Sequence, residues 1–420
     1  MLRPNAYPPD LARYVEAHWP AGLSLTLPLG LLHDALSAAF QASLMVEEAR
    51  PTRFRLLLTP PEQLPETGVP NHGALRLRLD RSRPLNADEL RRLAPAVPFE
   101  TALIVAHVEQ GKLRIWGVAH SGPAWLAPTS GGRSVVPKWT HDPIVHVTAP
   151  GNIAVRCAGQ LIGAIERGLL VDATLDVFES AWLPAMFARE REDIRAQHAA
   201  RQASVASPTA ADHSLVGKVS QQMLRRAIQL VRNAAHGGLI LVLNTERDAA
   251  RSHLHGLRLK YAFEQDEPTH RYRTLLLRIL EAVAASTSQE SVGWSDFALN
   301  ESAHFGELER AVFEMSRVMA NLAAIDGALV LDKRFGILGF GAEVSAELPT
   351  PERVWRALDA EAQNLQPEDP ENVGTRHRAA YRFVNDHPDG LAVVISQDGG
   401  VSFVARREEQ IVFWEQSVSP

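Results

Sequence analysis

The chain has 420 residues, 45% of them hydrophobic and 22% charged, with a formal net charge of −6. That length exceeds one ordinary core, so two or three domains are expected, and the negative balance provides no global field to draw the chain to nucleic acid or anionic lipid. Cys157 is the one cysteine, which excludes an intramolecular disulfide and a cysteine-built zinc site. No run of ~18 apolar residues suits a bilayer.

The opening "MLRPNAYPPDLARYVEAHW" lacks the basic and apolar blocks of a signal peptide, so the expected compartment is the cytoplasm. Within it "PPDLARYVEAHW" predicts a helix entered through prolines, with Leu11, Val15 and Tyr14 on one face. "RFRLLLTP" and "GALRLRLD" read as strands, the second alternating apolar and charged residues. "TALIVAHVEQGKLRIWGVAHSG" reads as a hairpin turning at Glu109-Gln110-Gly111-Lys112, and "DPIVHVTAPGNIAVRCAGQLIGAIERG" continues in that style. A helix over roughly 172–197 follows. The Ala/Ser-rich stretch 198–214, "HAARQASVASPTAADHS", is the expected linker between an N-terminal α+β domain (1–197) and a second domain (215–420).

Beyond it, "VSQQMLRRAIQLVRNAAHGG" predicts an amphipathic helix capped by Ser220, with an apolar stripe of Met223, Leu224, Ala227, Ile228 and Val231 and a stop at Gly237. "LILVLNT" predicts a strand buried on both faces. Two helices, "RYRTLLLRILEAVAAS" and "ELERAVFEMSRVMANLAAI", lead to a strand–turn–strand in "ALVLDKRFGILGFGAEV". "PERVWRALDAEAQNL" predicts a further helix, and "LAVVISQDGGVSFVARR" a final pair of strands around Gly399-Gly400. The expected fold is α/β (α+β): a mixed sheet flanked by helices, preceded by a strand-rich α+β domain. No internal repeat is visible.

Three stretches carry potential chemistry. In Asp326-Gly327-Ala328 a carboxylate sits where a helix runs into a buried strand, which is costly unless it caps, pairs or binds a metal; a simple turn is the plainer reading. In Gly374-Thr375-Arg376-His377-Arg378 two guanidiniums and an imidazole stand at a helix start, against the macrodipole. Arginine forks and free amides there suit phosphate, whereas a solvated basic helix end needs no ligand. Ser396-Gln397-Asp398-Gly399-Gly400 ends a strand with groups that suit a ligand loop, and also reads as an ordinary hairpin turn.

Together and in this order the three stretches resemble the catalytic domain of the diadenylate cyclases, of the DNA-integrity-scanning and membrane-linked types. The resemblance covers roughly residues 218–415 and rests on "DGALVLDKRFGILGFGAEV" and "GTRHRAAYRFVNDHPDGLAVVISQDGGVSFV", with "QMLRRAIQLVRNAAHGG" and "LILVL" less specific. It implies condensation of two ATP into cyclic di-AMP and two pyrophosphates with Mg2+ or Mn2+, at a face shared by two subunits of a homodimer or higher homo-oligomer. Carried over residue by residue, Asp326 binds the metal near the reacting 3′-hydroxyl, joined by Asp398. Gly327, Ala328, Gly341, Ala342, Val344 and Gly374 shape the nucleotide pocket. Thr375, Arg376, His377 and Arg378 hold the triphosphate, and Ser396 also contacts it. No Walker-type phosphate loop is present.

Two features depart from the family. Ser396-Gln397-Asp398 stands where many members have Ser-Glu-Glu, so Asp398 must substitute for a glutamate or metal binding weakens. Residues 264–310 form an insertion that could extend the dimer face or contact the N-terminal half. That half resembles the sensor module found ahead of some diadenylate cyclase domains, with no ligand named. His107, His120, His141 and His146 fall at irregular spacings more typical of packed or surface histidines than of metal ligands, while "HSGPAWLAPTSGGRS" could be a ligand loop. The leading expectation is a regulated cyclase. A sensor that has lost catalysis, detecting ATP or cyclic di-AMP in the same pocket, is the alternative. DNA binding is not expected, for lack of a basic stripe or a helix-hairpin-helix signature.

Overall fold

A computed structural model describes residues 3–48, 50–64, 75–99, 101–120, 132–133, 141–166, 168–172, 175–203, 208–234, 236–244, 254–264, 267–300, 302–397 and 399–416. The chain divides into two compact units: Met1–Thr129 with Ser134–Ala173 and Ser419–Pro420, and Thr174–Val418 with Ser130–Arg133.

The first unit is a nine-stranded sheet among the described residues, carrying helices. Its strands are β1 (Arg3–Pro4), β2 (Phe54–Leu58), β3 (Leu75–Pro84), β4 (Ala102–Glu109), β5 (Lys112–His120), β6 (Ile144–Ala149), β7 (Asn152–Cys157), β8 (Gln160–Glu166) and β9 (Leu169–Asp172), in the order β1-β9-β8-β7-β6-β2-β4-β5-β3. Helices α1 (Pro8–Ala17), α2 (Leu29–Ser43) and α3 (Ala87–Leu93) supply Leu11, Val15, Leu32, Leu36 and Leu90 to a core with Phe54, Leu56, Ile104 and Val145. The alternate residues Leu57, Leu103, Val105 and Trp116 form a second cluster, which is why β2 is buried along its whole length. Gln110 and Gly111 both adopt positive φ, 51° and 76°, the conformation a two-residue hairpin loop requires.

The second unit begins earlier than the composition suggests. Asp176 pairs with Arg225 at 2.7 Å and accepts from Gln416 Nε2 at 2.9 Å. Trp182 stacks on Trp414 with ring centroids 4.3 Å apart and donates to Ala360 O. The expected linker 198–214 therefore lies inside this unit. Alanine, arginine and glutamine are strong helix formers, so "AAR" prolongs a helix rather than loosening one. The expected 172–197 helix becomes α4 (Trp182–Ala185) and α5 (Ala188–Gln202). β10 (Ala210–Ala211) then pairs with a strand formed by Ser291–Val292.

Helix α6 (His213–Asn233) buries the expected stripe of Met223, Leu224, Ala227, Ile228 and Val231. Its cap is Asp212, which accepts from the amides of Ser214 and Leu215. Ser220 instead lies mid-helix, donating to Val216 O and accepting from Tyr272. There follow β11 (Gly238–Leu243), β12 (Leu257–Arg258), β13 (Tyr261–Ala262), α7 (Glu267–Ala285), β14 (Ser291–Val292), α8 (Trp294–Ala298) and α9 (Ala303–Ala323). The insertion 264–310 is core: Tyr272, Leu276, Ile279, Val283, Phe297 and Leu308 share one cluster with Val219, Met223 and Ile228.

The remaining elements are β15 (Ala328–Asp332), β16 (Ile337–Val344), β17 (Val354–Ala357), β18 (Leu365–Glu368), α10 (Thr375–Asp386), β19 (Leu391–Ile395), β20 (Val401–Arg407) and β21 (Gln410–Gln416). The sheet runs β12-β16-β15-β11-β19-β20-β21-β17-β18, with β13 also on β16. β11 and β15 are parallel, as are β17 and β21; the sheet is mixed, as expected. The expected helix at "PERVWRALDAEAQNL" is absent. Val354–Ala357 pairs with two strands, and the Asp359 carboxylate gathers the amides of Glu361, Gln363 and Asn364 into a turn. Ile240, Val242, Leu329 and Leu331 face the layer of α6, α7 and α9. Leu239, Leu241, Val330, Ala392 and Val394 face α10. This three-layer order brings one end of the central strands and the start of α10 together.

Candidate functional site

Four strand ends meet at one edge of the second sheet. β11 and β15 start there, β16 finishes there, and β19 ends there, with Gly238 opposite Ile395 and Ala328 opposite Ala342. Asp326 and Gly327 occupy the turn between α9 and β15. Asp326 is exposed, Gly327 half-buried and Ala328 buried. Gly327 holds φ at +106°, and a Cβ on it would lie 2.6 Å from Gly341 C and 2.9 Å from Ala342 N. Gly341 itself has φ +63°. The Asp326-Gly327-Ala328 turn and the Gly341-Ala342 bend are thus packed backbone to backbone, which only glycine permits at 327. Val344, two residues on, is half-buried at the end of β16.

Two consecutive glycines connect this corner to α10. A Cβ on Gly238 would lie 2.9 Å from Ala323 O, the last residue of α9. One on Gly237 (φ +67°) would lie 2.8 Å from Ile395 O and 2.9 Å from Arg376 Nη1. Arg376 Nη2 donates to His236 O at 3.3 Å. Gly374 caps α10 with extended backbone and no side-chain bond, leaving Thr375 exposed at the first helical position.

The cationic triplet is splayed. Successive helical residues turn by about 100°, and the three side chains take three separate partners. Arg376 reaches His236 O, His377 Nε2 lies 3.2 Å from Ser402 Oγ, and Arg378 Nη1 donates back to Val373 O at 2.8 Å. Ser396, half-buried, closes the β19–β20 loop: its amide donates to Gly400 O at 2.8 Å, and Gly399 N donates to Ser396 O. Arg232, near the end of α6, donates to Gly399 O at 2.8 Å. Asp398 lies outside the described residues.

Three participants escape sequence reading. Gly237 reads there only as a helix stop, and neither Arg232 nor Ser402 is singled out. Their roles come from contacts far apart in the chain.

The donors can be tested against a divalent cation. Among the described residues no cluster of three or more His, Cys, Asp or Glu side chains could hold one, and Asp326 has no hydrogen-bond or ion-pair partner there. A single accessible carboxylate fits Mg2+ or Mn2+ shared with substrate phosphates, the usual arrangement for these hard ions, and does not fit an all-protein cage. The described cavities lie elsewhere. Two adjoining ones, of about 30 and 40 Å³, surround Phe335 in the β15–β16 turn, at the other end of that hairpin. Buried Asp332 beside them has its carboxyl pushed up by desolvation, against the amides of Gly336 and Arg334 that favour its charge.

In the first unit, His146 is buried on β6, His107 and His141 are half-buried, and His120 is exposed at the end of β5. Most of the candidate ligand loop "HSGPAWLAPTSGGRS" lies outside the described residues. Its Gly132 and Arg133 belong to the second unit, where Gly132 N donates to Gln222 and Arg133 pairs with Glu309 and donates to Phe297 O.

The family model described as "Probable sensor domain DACNV" matches residues 28–120, a domain associated with diadenylate cyclases. The match lies wholly within the first unit. No curated protein and no solved structure matches the chain.

Proposed function

We propose that the second unit is a diadenylate cyclase domain, condensing two ATP into cyclic di-AMP and two pyrophosphates, and that the first unit regulates it. The observation that carries this reading is the convergence at one sheet edge. The Asp326-Gly327 turn packs on the Gly341-Ala342 bend, and at the start of the neighbouring strand β11 Gly238 packs on the end of α9 while Gly237 packs on the end of β19 and on Arg376 of α10. Residues far apart in sequence, singled out by their resemblance to one family, occupy neighbouring ends of adjacent strands and the start of the helix packed on them. The sensor-domain match at residues 28–120 supports the same assignment from the other half of the chain.

Phosphoryl transfer asks a protein mainly for positioning and charge neutralisation. Arg376 and Arg378 now hold neutral backbone carbonyls; charged phosphate oxygens are stronger acceptors and would displace them. The amides at the start of α10 add donors, and the helix dipole favours an anion there. Asp326, exposed and unpartnered among the described residues, would hold Mg2+ or Mn2+, with Asp398 as a second oxygen ligand. When bound, such an ion lowers the pKa of a 3′-hydroxyl and neutralises phosphate charge. The 3′-oxygen of each ATP forms a bond to the α-phosphorus of the other, the hydroxyl proton leaves, and pyrophosphate departs with the bonding pair. Asp326, Gly374 and Thr375 are exposed, which suits a reaction completed by a second copy of the chain facing the first.

A second reading, a nucleotide sensor with weak or absent catalysis, draws on Ser396-Gln397-Asp398 in place of Ser-Glu-Glu. Binding and turnover separate the two. Titration with α,β-methylene-ATP should show binding under either reading, whereas only the cyclase makes cyclic di-AMP from ATP. Failure to bind the analogue sinks both.

A further inference from the structure

We propose that α8 and the start of α9 form a guanidinium-binding site whose resident ligand is the chain's own Arg133, and that the insertion 264–310 serves to hold this excursion of the chain. The proposal does not depend on the nucleotide site of the preceding section. The chain leaves the first unit after Thr129, contributes Ser130–Arg133 to the second, and returns to the first at Ser134. Within the second unit, Gly132 N donates to Gln222 Oε1 on α6 at 3.1 Å, and Arg133 N donates to Glu309 Oε1 on α9 at 2.7 Å.

The Arg133 side chain is 9% exposed. A cation so enclosed is costly unless it is paired and hydrogen-bonded. Here Nη1 donates to Phe297 O at 3.0 Å and to Asn300 O, and Nε lies 3.5 Å from Glu309 Oε2. The two carbonyls stand at and just beyond the end of α8, where backbone acceptors lack partners within the helix. Cζ lies 5.3 Å from the ring centroid of Phe297 and 5.7 Å from that of Phe305, within cation–π range, and both rings are buried. A guanidinium matches this set because it carries several donors in one plane and a flat face for the rings. An ammonium is a compact, strongly hydrated charge that matches neither. The pocket therefore selects by shape as well as by charge. Phe297, Asn300, Phe305 and Glu309 all lie within 264–310, the stretch that departs from the cyclase resemblance, so receiving Arg133 gives that insertion a role.

Hydrogen exchange on the full chain, followed by mass spectrometry, tests this. Arg133→Ala should speed amide exchange across residues 294–309 by roughly tenfold or more, because a buried carboxylate and two carbonyls lose their partner, while β19 and β20 stay as in the parent. Arg133→Lys should lose nearly as much protection. N-ethylguanidinium chloride titrated into Arg133→Ala should slow that exchange saturably, by about tenfold at ten times its dissociation constant. Ethylammonium chloride should not, and the double variant Arg133→Ala/Glu309→Ala should show no rescue. Glu309→Gln, with Arg133 intact, should speed exchange in the same stretch by about threefold to tenfold, which keeps the test decisive even where Arg133→Ala fails to fold. Parent-like protection in Arg133→Lys or Glu309→Gln, equal rescue by both cations, or no rescue of a folded Arg133→Ala would overturn the guanidinium site.

Discussion

Substituting Gly327 by alanine probes the corner on which the site depends. Two penalties follow from the backbone. At φ +106° a residue with a side chain is strained by about 1–3 kcal/mol. The added Cβ would also lie 2.6, 2.8 and 2.9 Å from Gly341 C, Gly341 Cα and Ala342 N. These are main-chain atoms of the paired strand and cannot rotate aside as a side chain would; such overpacking costs about 1–3 kcal/mol more. The sum is at least about 2 kcal/mol, or roughly thirtyfold faster amide exchange in β15 and β16 if they open locally. Hydrogen exchange followed by mass spectrometry on the full chain reads this directly. Gly306→Ala is the control. Gly306 lies inside α9 with nothing within 4 Å of its Cβ position, so alanine there should stabilise by about 0.4–1 kcal/mol. Unchanged exchange in β15 and β16 of Gly327→Ala would refute the close packing of the two bends.

Arg376→Ala should weaken binding of α,β-methylene-ATP by about 1.5–3 kcal/mol, roughly 10- to 150-fold; calorimetry showing equal affinity would place the guanidinium outside the phosphate site. Trp182→Ala removes the stack on Trp414 and the bond to Ala360 O, and should cost about 3–5 kcal/mol, seen as faster exchange in β21 than in the strands of the first unit. His198 is buried on α5, and desolvation lowers its pKa below the ordinary 6.5. The unfolded ring therefore takes up a proton that the folded ring resists. Stability is retained above pH 6.5 and lost as pH falls through that value toward the folded pKa. In His198→Leu the drop in urea midpoint between about pH 7.5 and pH 5 should shrink; an unchanged drop means another group sets it.

Much of the second unit was legible because its signals are local. The stripe of α6, the unbroken apolar run of β11 and the turn residues of the β15–β16 hairpin each fix an element within a dozen residues. What was missed depends on distant partners. "PERVWRALDAEAQNL" has helix-forming composition, yet Val354–Ala357 is captured by strands closing the sheet. The 198–214 stretch looks like a linker because it is small and polar, but Ile194 and His198 are already buried and β10 is held by β14. In the site, the glycines at 327 and 341 were marked by motif, whereas Gly237 gains meaning only from Ile395 O and Arg376 on other elements. The triplet was read as one patch, and helical rotation separates it.

The central claim is tested most directly by incubating the full chain with ATP and Mn2+ or Mg2+ and following nucleotides by chromatography and mass, alongside Asp326→Asn. Asp326 is exposed and unpartnered among the described residues, so the amide should leave the fold intact while removing the charge that holds the cation. The account predicts cyclic di-AMP from the unaltered chain and a loss above ~10²-fold in the variant. ATP left unconverted by a folded chain that binds it, or equal turnover by Asp326→Asn, would contradict it.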